Sequence, residues 1–261
     1  MYPILFNVGD WPVYSYGVLL AAAYLIGLQL AVVRARKAGV DPARVMDLGI
    51  YLIIAALVGA KLMLIAVDWD YLRQQPRELL SLVRAGGVFY GGLIGAVLVG
   101  LVLVRRYKLN VWATGDLMAP GIALGHVVGR FGCLLAGCCY GRPTDAAWGI
   151  TFTNPIANAN VGTPLNLPLH PTQLYDAGAE LLILGVLLLT ERKGKPFAGR
   201  TFWLYIGLYA ISRFIIEYFR GDIQRGSIGD MSTSQFVSLL LVPTALLMLW
   251  YLKRQPQPTA A

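Results

Sequence analysis

The sequence predicts an all-α fold, a polytopic membrane helix bundle of about seven transmembrane helices, from two observations. Hydrophobic residues make up 57% of the 261 and charged residues only 14%, where a soluble domain carries about a quarter charged residues. The charges also gather in short runs between long apolar stretches. A soluble protein with a large core does not account for that pattern.

A span needs about 20 mostly apolar residues. Seven segments qualify: Val13–Val33, Met46–Val67, Gly87–Val104, Val111–Phe131, Leu174–Thr190, Phe202–Phe219 and Gln235–Leu252. The fifth is short enough to be tilted or partly interfacial. Met1–Trp11 has no basic segment ahead of an apolar core, so the first span is expected to direct insertion. The chain is expected to form one integral-membrane domain over 1–261.

Orientation follows from Lys and Arg in the loops. One side carries Arg34, Arg36, Lys37, Arg44, Arg105, Arg106, Lys108, Arg192, Lys193, Lys195, Arg200, Lys253 and Arg254. The other carries Arg73, Arg77, Arg84, Arg142, Arg220 and Arg225. The richer side is expected to be cytoplasmic, which puts the N-terminus outside and the C-terminus inside. The long connections 68–86 and 141–173 then lie outside. The net charge of +8 is explained by this loop bias, and no nucleic-acid partner is expected.

Several residues stand where a membrane span needs a reason for them: Lys61, Asp116, His126, Arg130, Arg213 and Glu217. A charge near the bilayer centre costs at least about 2.5 kcal/mol, so such residues face a cavity or a partner. Arg213 and Glu217 are four apart and can pair on one helical face. Arg130 and Arg213 also suit phosphate, because each guanidinium offers a planar fork of donors. Lys61 fits either reading, and His126 fits a satisfied bundle histidine. His170 is either a loop histidine or a part of the site. Thr172, after Pro171, is a candidate helix N-cap. Glycines surround these charges, and small residues let membrane helices approach closely; here they also leave room for a lipid head group. Cys133, Cys138 and Cys139 lack a second pair at zinc-ligand spacing, and neighbouring cysteines rarely meet disulfide geometry. The reading is small, weakly polar interior residues, with no metal and no cofactor.

At these residues the chain resembles a family, the bacterial prolipoprotein diacylglyceryl transferases. Tyr16-Gly17 is similar to the family's early Tyr-Gly, and Phe89–Gly95 (FYGGLIG) to its FHGGLIG. Gly129–Arg142 (GRFGCLLAGCCYGR) resembles its signature, close to GRLGNFINGELWGR. His170–Tyr175 resembles its HPSQLY, with Asp176 in the place of a glutamate. Tyr209, Arg213, Phe214, Glu217, Phe219 and Arg220 fall on its YG-x-x-RF-x-x-E-x-FR, and Gln235 on a further family position.

The resemblance implies transfer of the diacylglyceryl group of phosphatidylglycerol to the lipobox cysteine thiol of prolipoproteins, in the bacterial inner membrane. Its partners would be phosphatidylglycerol and other membrane lipids, and prolipoprotein signal peptides. It implies Arg130 for phosphate binding and Arg213 for leaving-group stabilisation. Tyr16, Tyr90 and Tyr209 would give hydrogen-bonding support, and Glu217 and Gln235 would orient. Gly91, Gly92, Gly141 and His170 would line the substrate. Three departures bear on mechanism. The family's histidine before Gly-Gly is Tyr90, its signature asparagine is Cys133, and its signature glutamate is Cys138. A tyrosine is a poorer base than a histidine at neutral pH. The departures leave two alternatives to the transferase: a lipid-binding homologue without the chemistry, and a thiol-redox membrane protein using Cys138 and Cys139.

Overall fold

The computed structural model describes residues 1–75, 87–192, 194, 196–222 and 226–255. Arg77, Arg84, Lys193, Lys195 and Arg225, counted above for orientation, lie outside the described residues. Helices account for 69% of the structure. In chain order they are α1 (Ser15–Lys37), α2 (Pro42–Val67), α3 (Trp69–Gln74), α4 (Phe89–Arg106), α5 (Val111–Ala136), α6 (Pro155–Val161), α7 (Thr172–Glu191), α8 (Arg200–Glu217) and α9 (Thr233–Arg254). Among the described residues, three small antiparallel strand pairs accompany them: β1 (Ile4–Val8) with β2 (Trp11–Tyr14), β3 (Ile150–Thr151) with β4 (Pro168–Leu169), and β5 (Ser227–Ile228) with β6 (Met231–Ser232).

Six described helices are long and apolar enough to cross a membrane: α1, α2, α4, α5, α7 and α9. The sixth expected span, Phe202–Phe219, forms the 18-residue helix α8, which carries Arg200, Arg213 and Glu217. Arg213 and Glu217 are buried within the protein, so α8 turns its two interior charges away from lipid. The segment expected to be short is a full 20-residue helix, α7.

The chain divides into two compact units, Met1–Ala31 with Gly115–Ala261, and Val32–Thr114. In the second, α2 and α4 lie against each other through small residues. A Cβ on Gly95 would fall 2.6 Å from Ala55 O, and one on Gly91 would collide with Met63 Cβ and Gly59 O. Gly91 and Gly92 are buried in this seam, whereas Tyr90 is exposed and meets Phe89 edge to face. Close approach of helix backbones is what small residues supply in membranes, where dispersion replaces the hydrophobic driving force between helices.

The first unit uses the same device between α1 and α5, where a Cβ on Gly27 would fall 2.6 Å from Gly121 O. Its apolar core is Ala119 and Ala123 of α5, Ile183, Leu184 and Leu187 of α7, and Tyr205 of α8. Asp116, an intramembrane charge on the sequence reading, has a structural task here. Its carboxylate accepts hydrogen bonds of 2.8 Å from the backbone N–H groups of Gly199 and Phe202. That places an anion on the free donors at the start of α8.

Candidate active site

The site-bearing part of the first unit is a ladder between α5 and α7. His126 and Arg130 are one turn apart on α5, and Asp176 and Glu180 are one turn apart on α7, so two rungs form. Arg130 Nε lies 3.2 Å from Asp176 Oδ2, and His126 Nδ1 lies 2.6 Å from Glu180 Oε1. His126 is thus the satisfied bundle histidine of the sequence reading. Asp176 also serves a second arginine: Arg220 Nη1 is 3.6 Å from the same oxygen. Arg220 is fixed in turn by a two-bond fork on Asp222, at 2.9 and 2.7 Å.

A third arginine comes from α8. Arg213 Nη2 pairs with Glu217 at 2.5 Å and donates to Ser234 Oγ at 3.1 Å. Its Nη1 is buried without a hydrogen-bond acceptor among the described residues. One turn earlier, the Tyr209 ring stacks on Tyr205 at 6.0 Å and approaches His126 at 5.5 Å.

The signature segment packs beside this network. Gly141 donates to His170 O at 3.1 Å, His170 N–H to Arg142 O at 2.9 Å, Arg142 N–H to Phe219 O at 2.8 Å, and Gly221 N–H to Tyr140 O at 3.1 Å. Arg142 Nε adds a bond of 3.0 Å to Arg220 O. Glycine is required at 141, because a Cβ there would sit 2.5 Å from His170 Cβ and 2.8 Å from Phe219 O. His170 reaches Tyr175 Oη at 3.1 Å and meets Phe219 edge to face. With Trp148 and Ile216 these residues line an open apolar hollow of about 450 Å³.

Thr172 is not the N-cap of α7. Pro171 holds that position, and Thr172 turns its hydroxyl onto Cys139 O at 2.7 Å. The reason is competition: the hydroxyl satisfies a carbonyl of the neighbouring loop, so it does not cap its own helix. None of the three cysteines is in a disulfide. The Cys139 thiol is pulled below the ordinary thiol range by hydrogen bonds with Cys133 and then Cys138 and by the charges of Arg220 and Arg130, against the opposing effect of burial.

Of the residues singled out from sequence, the first unit holds Tyr16, Arg130, Gly141, His170, Tyr209, Arg213, Glu217 and Gln235, and the second holds Tyr90, Gly91 and Gly92. Tyr16 packs on α5 at Gly132. Gln235 closes a capping box at the start of α9, giving its N–H to Ser232 Oγ and accepting from Ser232 N–H, each at 3.2 Å. Sequence reading gave no role to Glu180 or Asp222 and left Asp176 and Arg220 as matching positions only. The signal for the first was present: Asp176 and Glu180 repeat the four-residue spacing of His126 and Arg130.

The family model described as prolipoprotein diacylglyceryl transferase matches residues 3–251. The chain belongs to the prolipoprotein diacylglyceryl transferase family. Among its relatives, the phosphatidylglycerol–prolipoprotein diacylglyceryl transferase of Clostridium tetani is 37% identical over 243 residues, covering 93% of this chain and 94% of that protein. A protein of the same name, numbered 2, from Clostridium perfringens is 34% identical, covering 92% and 91%. That of Acaryochloris marina is 33% identical, covering 96% and 90%. The family is one of membrane transferases, in keeping with the six spanning helices and with the arginines buried among them.

Proposed function

We infer that this chain transfers the diacylglyceryl group of phosphatidylglycerol to the lipobox cysteine thiol of a prolipoprotein, the first step of lipoprotein maturation. Family membership supports the reaction. The observation that carries it to particular residues is the buried Arg213 Nη1, a guanidinium donor with no acceptor among the described residues. A buried donor left unpaired costs about 1–3 kcal/mol, and a phosphate oxygen would satisfy it.

The reaction breaks the bond between the glyceryl carbon and the phosphate oxygen, so negative charge grows on the departing glycerol phosphate. Donors already aimed at that charge stabilise it without reorganising. Arg130 binds the phosphate and Arg213 stabilises the leaving group, while Glu217 fixes the fork of Arg213. Arg220 joins them as a third cation. Asp176 acts as the resident counter-ion of Arg130 and Arg220, and an arriving phosphate displaces part of that pairing. Tyr16 and Tyr209 donate hydrogen bonds to phosphate or ester oxygens, and Gly141 and His170 border the substrate. Gln235 orients its neighbours through the start of α9. The protein lies in the bacterial inner membrane, N-terminus outside and C-terminus cytoplasmic, with lipid and signal peptide entering from the outer leaflet.

The test is rescue of a bacterium depleted of its own transferase. Rescue by the wild-type chain and none by Arg130→Ala or Arg213→Ala is expected. A well-inserted wild-type chain that fails to restore growth sinks the transferase reading.

A further inference from the structure

The three cysteines are expected from sequence to be small, weakly polar interior residues, and their Sγ atoms all lie within 4.8 Å of one another. The backbone is shaped to bring this about. Cys133 comes from the last turn of α5. The chain then turns left-handed at Gly137, with φ 84°, and again at Cys139, with φ 60°. A residue with a Cβ adopts that region uncommonly. A side chain at Gly137 is excluded on space as well, since its Cβ would fall 2.8 Å from Ala157 Cβ. Buried residues of α7 pin the loop from outside: Gln173 Nε2 donates to Cys138 O and Thr172 Oγ1 to Cys139 O, both at 2.7 Å. Supporting bonds from groups that are not themselves ligands are how proteins orient the donors of a metal.

We propose that Cys133, Cys138 and Cys139 hold a zinc ion, or a similar soft divalent ion, whose fourth position takes the substrate thiol. The second half of this proposal rests on the transferase reading. Tetrahedral zinc with bonds of about 2.3 Å sets its sulfurs roughly 3.8 Å apart. Sulfurs within 4.8 Å need to close by no more than about 1 Å to reach that geometry. Three protein ligands with one open position mark a catalytic zinc site, four a structural one. Among the described residues, the group has three members. Three thiolates and a divalent ion leave one net negative charge. Arg130 stands one turn before Cys133, and Arg220 bridges to Gly141, two residues past Cys139.

The chemistry balances without an oxidant or a reductant. A thiol that coordinates the ion loses its proton, which passes to water. The metal-held thiolate attacks the glyceryl carbon of the phospholipid. A carbon–sulfur bond forms, the carbon–oxygen bond to phosphate breaks, and the oxygen keeps the electron pair as glycerol phosphate departs onto the arginines. Thiol activation is the step for which Tyr90, at the family's histidine position, is poorly suited.

The test uses the full chain purified in detergent without chelator. Elemental analysis is expected to find about one zinc per chain, reduced about tenfold or more in the Cys133→Ser/Cys138→Ser/Cys139→Ser variant. Stripping the wild-type protein and adding cobalt provides a second measurement on an unaltered fold. Cobalt is expected to give the thiolate charge-transfer and visible bands of a tetrahedral site, and a lipobox peptide with cysteine should shift them while its serine analogue does not. Equal metal in wild-type and triple variant, metal in neither, or a disulfide among the three in the isolated protein overturns the site. A cobalt spectrum indifferent to the cysteine peptide overturns the open position. Transfer activity retained by the metal-free triple variant defeats this inference and leaves the transferase reading standing. Metal and spectral shift in a protein with no transfer activity does the reverse.

Discussion

Replacing Arg213 and Glu217 together separates catalysis from folding. Both side chains are buried, 8% and 7% exposed, and they pair at 2.5 Å. Removing one alone strands the other charge, which costs about 3–5 kcal/mol of stability. A loss of activity in that variant combines lost chemistry with lost stability. Arg213→Met with Glu217→Gln removes both charges at similar volume, and such exchanges are often neutral or stabilising. What disappears is the free Nη1 donor and its charge. A hydrogen bond to a charged group is worth about 1.5–3 kcal/mol, so kcat/KM should fall roughly 10- to 150-fold, at about 1.4 kcal/mol per tenfold. The assay follows thioether product by mass, from phosphatidylglycerol in mixed micelles and a lipobox peptide, beside a thermal melt in the same detergent. A double variant that melts like the wild type and keeps kcat/KM within about twofold would falsify the role given to Arg213.

Three further predictions concern the supports of the site. Gly141→Ala forces a methyl into His170 and Phe219, where the close atoms include backbone; overpacking of this kind costs about 1–3 kcal/mol, read as a lower melting temperature, and an unshifted melt contradicts the tight fit. Asp116→Ala strips the start of α8 of two hydrogen bonds to a carboxylate, and a loss of about 1–2 kcal/mol in unfolding free energy is expected, with Asp116→Asn intermediate. Gln235→Glu keeps the capping box and should leave the melt unchanged, whereas Gln235→Ala should lower stability by about 0.5–2 kcal/mol; a melt that ignores both places Gln235 outside the structural frame.

Apolar bulk made the helices legible, because a span of about 20 apolar residues has no other stable home. Spacing made the Arg213–Glu217 pair legible, since residues four apart share a helix face. The family was legible from five short segments in order, and the match over 3–251 meets it. What spacing within one helix cannot give is the partner across the bundle. Arg130 meets Asp176 across 46 residues of sequence, and Arg220 arrives at the same carboxylate from beyond α8. Thr172 was misread because capping rules treat a helix start in isolation, and here a loop carbonyl competes for its hydroxyl. The proximity of the three cysteines was not legible, because ligand spacing assumes ordinary turns. Left-handed backbone at Gly137 and Cys139 brings together thiols that a helix would splay.

The clasp around Gly141 has a dynamic consequence. Tyr140–Arg142 exchanges backbone hydrogen bonds with His170 on one side and with Phe219 and Gly221 on the other. Three distant stretches therefore form one cooperative piece, and none of them can swing out alone without breaking main-chain pairing. Their amides should exchange with solvent slowly and at similar rates, as members of a single opening unit. Any opening of the surrounding helices must then occur elsewhere, while this clasp keeps its shape.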